Sequence, residues 1–231
     1  MVQKIPKPFP IIIAGIGLII LFSIIVFIIE IFLVVYFSTL KEFFGSFSYI
    51  VISWIIEDIY VIFIVYFLYL TIVRTNTKVL ILSNYNKKIL LYALGVGCGA
   101  FIIKEIIYNI SILILPENYP AHEIGRLFSE YPNFYQHLIL FSLITLSSPI
   151  SEEIFMRGFC YKILRMKYNI PKSIFFSSLI SIVFHPVVAW IPHIIFTNII
   201  LCLAYEKTNW IISPIIIHMV INLFTIIYYF S

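Results

Sequence analysis

Charge is scarce in this chain of 231 residues. Asp, Glu, Lys and Arg make up 11% of it, against about 25% in an ordinary soluble domain. With 62% of the residues hydrophobic, that scarcity excludes a soluble globular domain. It leaves an integral membrane protein, because several apolar runs exceed the roughly 20 residues a spanning helix needs. Cysteine is rare too. Cys98, Cys160 and Cys202 stand apart in apolar sequence with no CxxC spacing, which excludes a disulfide framework or a cysteine metal centre and leaves small packing residues. No HExxH pair is present to supply two zinc-binding imidazoles on one helix face. No repeat of interrupted spans appears, which argues against a transporter. No small-residue cleavage site follows the first apolar run, so that run is expected to remain as a span. The net charge of +4 says little about partners, since in a membrane protein the placement of Lys and Arg carries the information. Membrane lipid is the expected surrounding; no nucleic-acid partner is expected, and the oligomeric state is not legible.

The apolar runs predict an all-α, polytopic transmembrane helix bundle of about seven spans, with six to eight as the bounds. The spans fall at about Ile11–Tyr36, Ser48–Val73, Ile89–Leu115, His137–Leu164, Pro171–Val188, Trp190–Tyr205 and Asn209–Phe230. With the N-terminus inside, the inner segments hold Lys4, Lys7, Arg74, Lys78, Lys87, Lys88, Lys162, Arg165, Lys167, Lys172 and Lys207. The outer ones hold Lys41 and Arg126. Eleven against two is the asymmetry expected of a multi-pass cell-membrane protein with a cytoplasmic N-terminus and an outer C-terminus. Gly95, Gly97 and Gly99 form a small-residue patch in the third span, of the kind that lets helices approach closely. Glu57 and Asp58 in the second span and Lys104 in the third are expected to pair across the two helices; a proton or ion path is the alternative.

The stretch Ser151-Glu152-Glu153-Ile154-Phe155-Met156-Arg157-Gly158 places two carboxylates and a guanidinium inside a span. Charges at that depth are costly, so they mark a functional site by default. Glu153 and Arg157 are i,i+4 and share a face, so they can pair and support the structure. Glu152 is turned roughly 100° away, with no partner on its own helix, and is left for chemistry. The alternative makes all three a packed polar knot between helices.

Three histidines, His185, His193 and His218, lie in the C-terminal spans. His218 shares a face with Asn222, one turn on. At about 1.5 Å per residue from the inner end of each span, Glu152 lies roughly 15 Å deep, His218 roughly 12 Å, Asn222 roughly 18 Å and His185 roughly 21 Å. These depths suit one site near mid-membrane, whereas His193 falls near the outer surface and is left out. Two chemistries fit such a set. In one, Glu152 and His185 activate a water while His218 and Asn222 stabilise the oxyanion. In the other, Glu152, His185 and His218 bind Zn²⁺, which supplies the hydroxide. Asn is a poor zinc ligand, which favours the version with no cofactor.

The ordered motifs Glu152-Glu153-x-x-x-Arg157-Gly158, then His185 closing an apolar helix, then His218-x-x-x-Asn222, resemble the CPBP family. These are the intramembrane CAAX-protease and bacteriocin-processing proteins, also called Abi proteins. The resemblance covers roughly residues 135–226, and Ser177-Ser178-Leu179-Ile180 and Tyr205-x-x-Thr208-Asn209-Trp210 fit it as linking sequence. It implies residues 135–231 as the catalytic helix core; residues 1–134, expected from their apolar runs to be N-terminal transmembrane helices with an outer loop, lie outside the resemblance. It implies Glu152, His185, His218 and Asn222 as catalytic residues, with Glu153 and Arg157 supporting them. The implied activity is hydrolysis of a peptide bond in a membrane-associated protein or peptide, by a metal-dependent or a glutamate mechanism. A non-proteolytic scaffold or a bacteriocin self-immunity role is the alternative within the same family. The family usually shows FxxxH in its second motif, whereas Ser181 stands four residues before His185 here.

Overall fold

The computed structural model describes residues 17, 38–68, 87–114, 123–185 and 190–230. The first expected span therefore lies almost wholly outside the described residues. Among those described there are helices and no strand: α1 (Ser38–Leu68), α2 (Lys87–Ile114), α3 (Glu123–Glu130), α4 (Phe134–Arg165), α5 (Ile170–Phe184), α6 (Ile191–Thr208) and α7 (Ile212–Phe230). The chain is an all-α bundle. Of its described helices, α2, α4 and α7 are each long and apolar enough to cross a bilayer.

Local chemistry sets the helix ends. Asn133 opens α4 with a capping box, accepting from the Tyr135 N–H at 2.9 Å while Gln136 accepts from its own N–H at 3.3 Å. Asn169 caps α5 by accepting from the Lys172 N–H, with Pro171 in the first turn. That helix stops at Phe184, short of the Val188 expected from hydropathy. His185 precedes Pro186, and the residue before a proline is pushed out of the helical region; His185 accordingly has φ −130° and ψ 70°. Asn209 does not open the last helix as the apolar pattern indicates. It closes α6 in the left-handed conformation, φ 49°, and its N–H donates to the Tyr205 carbonyl at 2.8 Å.

Three apolar clusters hold the bundle. One joins Val65 of α1 to Phe155, Phe159 and Leu164 of α4 and Ile180 of α5. A second is built from small residues, with Ala93 and Ala100 of α2 against Leu201 and Ala204 of α6 and Ile217 and Ile221 of α7. The third packs Leu127 and Phe128 of α3 against Leu140 and Ile144 of α4 and Ile226 of α7. Of the three glycines expected to bring helices close, only Gly97 does so. A Cβ there would sit 2.7 Å from the Val220 Cβ on α7, while Gly95 and Gly99 face open space. In a bilayer, where apolar burial between helices supplies little drive, such close backbone approach is a main source of attraction.

α4 is not a uniform helix. Its α-helical segment Ser148–Glu153 lies between two π-helical segments, Leu143–Ser147 and Ile154–Tyr161. Pro149 has no N–H to give to the ladder, and the turn before it takes the wider i→i+5 pattern. Irregularities of this kind concentrate at functional sites, and this one carries Glu152 and Glu153.

Candidate active site

A cavity of about 540 Å³ opens between α1, α2, α4, α5, α6 and α7. Glu152, His185, His218 and Asn222 all line it, together with Glu153 and Arg157. The four residues read from the sequence as chemical thus share one wall system, with chain separations of up to seventy residues between them.

Glu153 is fully buried and Arg157 nearly so. The guanidinium donates from Nη1 to Glu153 Oε1 at 2.9 Å. From Nη2 it donates to Asn198 Oδ1 on α6 at 2.9 Å. The same carboxylate oxygen takes His218 Nδ1 of α7 at 3.0 Å. Glu153 therefore ties α4 to α7, and Arg157 ties α4 to α6. A carboxylate paired with a guanidinium is ionised and can only accept, so the proton of this contact sits on His218 Nδ1.

His185 is oriented by similar logic. Its Nδ1 lies 3.1 Å from the Ser181 carbonyl. A carbonyl can only accept, which fixes the proton on Nδ1 and leaves the Nε2 lone pair to act. Asn222 donates one amide hydrogen to the Ile144 carbonyl at 2.9 Å. Ile144 belongs to the first π segment, where the displaced ladder frees a carbonyl to accept it. The second amide hydrogen stays available. Glu152 is half-buried and makes no hydrogen bond or ion pair with any described residue. Two neighbouring carboxylates so receive opposite treatments: one is locked, the other is left facing a cavity.

Among the further cavity residues, Asn198 is not singled out by the sequence. Asn198, 2% exposed, collects Arg157, Ser177 and Ser181 on its Oδ1 and donates to the Ser178 hydroxyl at 2.9 Å. An amide midway along an apolar helix is the signal available in the sequence. Ser181, at the position where the family motif carries Phe, is part of this polar network. His193, excluded on depth, lines the cavity as well. Of the expected pairing of Glu57 and Asp58 with Lys104, the Asp58 half does not form. Lys104 donates to Glu105 at 2.9 Å and to Thr225 at 2.8 Å, and Asp58 accepts the hydroxyls of Ser147 and Ser151.

Zinc would need three ligands converging on one point. Among the described residues no three His, Cys, Asp or Glu side chains come together in that way. Glu152, His185 and His218 border one cavity without forming a ligand set.

Taken together, fold and site define a helical membrane protein whose polar cavity is walled by a glutamate pair, histidines and an amide. Residues 134–224 match the profile of the Rce1-like family, the type II CAAX prenyl endopeptidases. That segment is short of half the chain, and it names the family that the motif order resembles. No curated protein and no solved structure matches the chain.

Proposed function

We propose that the cavity hydrolyses a peptide bond of a membrane-associated protein or peptide, with Glu152 as general base. The observation that carries this reading is the contrast between two carboxylates of one cavity. Glu153 is hydrogen-bonded to Arg157 and His218, whereas Glu152 makes no hydrogen bond or ion pair with any described residue and acts on His218 through its charge alone. A base must be free to take a proton, and a buried, committed carboxylate is not.

In this reading Glu152 takes a proton from a water held between it and His185 Nε2. The water oxygen bonds to the substrate carbonyl carbon. The developing oxyanion is met by the second Asn222 amide hydrogen and by a proton on His218 Nε2. Donation from both His218 nitrogens needs the imidazolium, and Glu153 supplies the countercharge. Glu152 then returns its proton to the leaving nitrogen as the C–N bond breaks. In a site with little water each of these hydrogen bonds counts for more than in solution.

The metal-free version is the one adopted in this reading, since among the described residues no three His, Cys, Asp or Glu side chains group as a metal site would need. The test is cleavage of a peptide library by protein purified in detergent, with a chelator arm. The expected result is turnover unaffected by chelator. Loss with chelator and recovery with Zn²⁺, with stoichiometric zinc missing from the His185→Ala variant, would replace the mechanism with a zinc one while keeping the residues. An absence of cleavage, with the cellular phenotype intact in Glu152→Ala, would favour the scaffold or self-immunity role. In this proposal residues 135–231 form the catalytic helix core, and residues 1–134 the N-terminal transmembrane helices and outer loop.

The Lys and Arg split also supports a multi-pass placement with the N-terminus cytoplasmic and the C-terminus outside. Reporter fusions at Asn84 and Asn118 are expected to read inside and outside respectively. The reverse pattern would overturn the orientation.

A further inference from the structure

Asp58 of α1 accepts two hydroxyls, Ser151 on one carboxylate oxygen and Ser147 on the other. These serines are one turn apart on α4, and they straddle the junction where the first π segment ends and the α segment bearing Glu152 begins. Ser147 is the last residue of the π segment; Ser151 immediately precedes Glu152. Asp58 takes no cation among the described residues, so both of its oxygens serve this one contact. Asp58 also lies outside the segment that matches the protease family.

Such a junction is where a helix can change its rotation at low cost. One residue of slip in the ladder turns the following segment by about 100°. That slip would carry Glu152 off the cavity wall and disengage Glu153 from His218. A bidentate brace across the junction removes that freedom. The Ser151 hydroxyl also lies 3.0 Å from the Ser148 carbonyl; its single hydrogen is shared between that carbonyl and Asp58, the carboxylate being the stronger acceptor.

We propose that Asp58 is a positioning residue, which sets the rotation of the Ser148–Glu153 segment so that Glu152 meets the substrate and Glu153 meets His218. This rests on the reading of Glu152 as the base. Misplacement of a catalytic group by about 1 Å can cost about 10²-fold in rate. Asp58→Ala is therefore expected to lower kcat by about that factor with little change in KM. Asp58→Asn keeps an acceptor for one serine and can donate to the other, and is expected to restore most of the loss. The Ser147→Ala/Ser151→Ala double variant keeps Asp58 and removes only its partners. It should match Asp58→Ala, and combining all three changes should add nothing further.

The experiment is steady-state cleavage of a peptide substrate by each full-length variant in detergent, with folded yield measured alongside. A kcat of wild-type size in Asp58→Ala, or a loss confined to KM, would overturn the proposal while leaving the protease reading intact. An Asp58→Asn variant as impaired as Asp58→Ala would overturn it too, since the effect would then come from charge. Should Asp58→Ala not fold, the serine double variant decides the matter by the same criteria. A wild type that cleaves nothing overturns the protease reading and this proposal together.

Discussion

Glu152→Ala retains the fold and loses peptide hydrolysis, by at least about 10²-fold in kcat. Both halves of that expectation come from the same structural fact. Glu152 is half-buried on the cavity wall and makes no hydrogen bond or ion pair with any described residue, so removing it takes from His218 only the field of a nearby charge, and stability should change by about 1 kcal/mol or less. Its loss nevertheless removes a cavity carboxylate that no hydrogen bond or ion pair commits among the described residues. Glu152→Gln keeps the shape and hydrogen bonding but not the basicity, and should be as inactive. Cleavage kinetics and thermal unfolding in detergent check this together. Wild-type turnover in either variant would remove Glu152 from the chemistry, and a collapse of stability would return it to the polar knot.

Arg157→Ala is expected to act in the opposite way, destabilising the protein by roughly 3–5 kcal/mol, the cost of stranding a buried charge. Glu153 is fully buried, its Oε1 is shared by Arg157 and His218, and its other oxygen has no hydrogen-bond partner among the described residues. Without the guanidinium that carboxylate is held only by an imidazole, and Asn198 loses its charged donor on α6. Less folded protein in the membrane and a lower Tm in detergent should follow, with activity falling through loss of fold. Replacing both charges, as in Glu153→Gln/Arg157→Met, should recover part of the stability, because no uncompensated charge is then buried. A normal Tm together with lost activity would move Arg157 from support into chemistry.

What the sequence discloses and what it hides divide along one line. Contacts within a helix are legible. The i,i+4 spacing of Glu153 and Arg157 follows from the helical period, and the ion pair it predicts is present. Contacts between helices are not written in spacing. Nothing in the apolar pattern couples Asp58 to Ser147 and Ser151, or Asn198 to Arg157, since each joins residues distant in the chain. Depth estimates grouped Glu152, His185, His218 and Asn222, which line one cavity, yet they left out His193, which lines it too, because axial depth does not say how far a cavity extends. Hydropathy overran the end of α5 at His185-Pro186 and misassigned Asn209, because both boundaries are set by backbone geometry and not by polarity. The two π segments were invisible for the same reason, and they decide how α4 presents its glutamate pair.

The role given to Glu152 is tested most directly by where the water goes. A single-turnover cleavage in water enriched in heavy oxygen, followed by mass spectrometry of both product and enzyme, reads this out. A general base predicts heavy oxygen in the new carboxylate of the product and none in Glu152. Product carrying only ordinary oxygen, with the label found in Glu152, would mean that the carboxylate itself attacks the peptide bond, and would contradict the account.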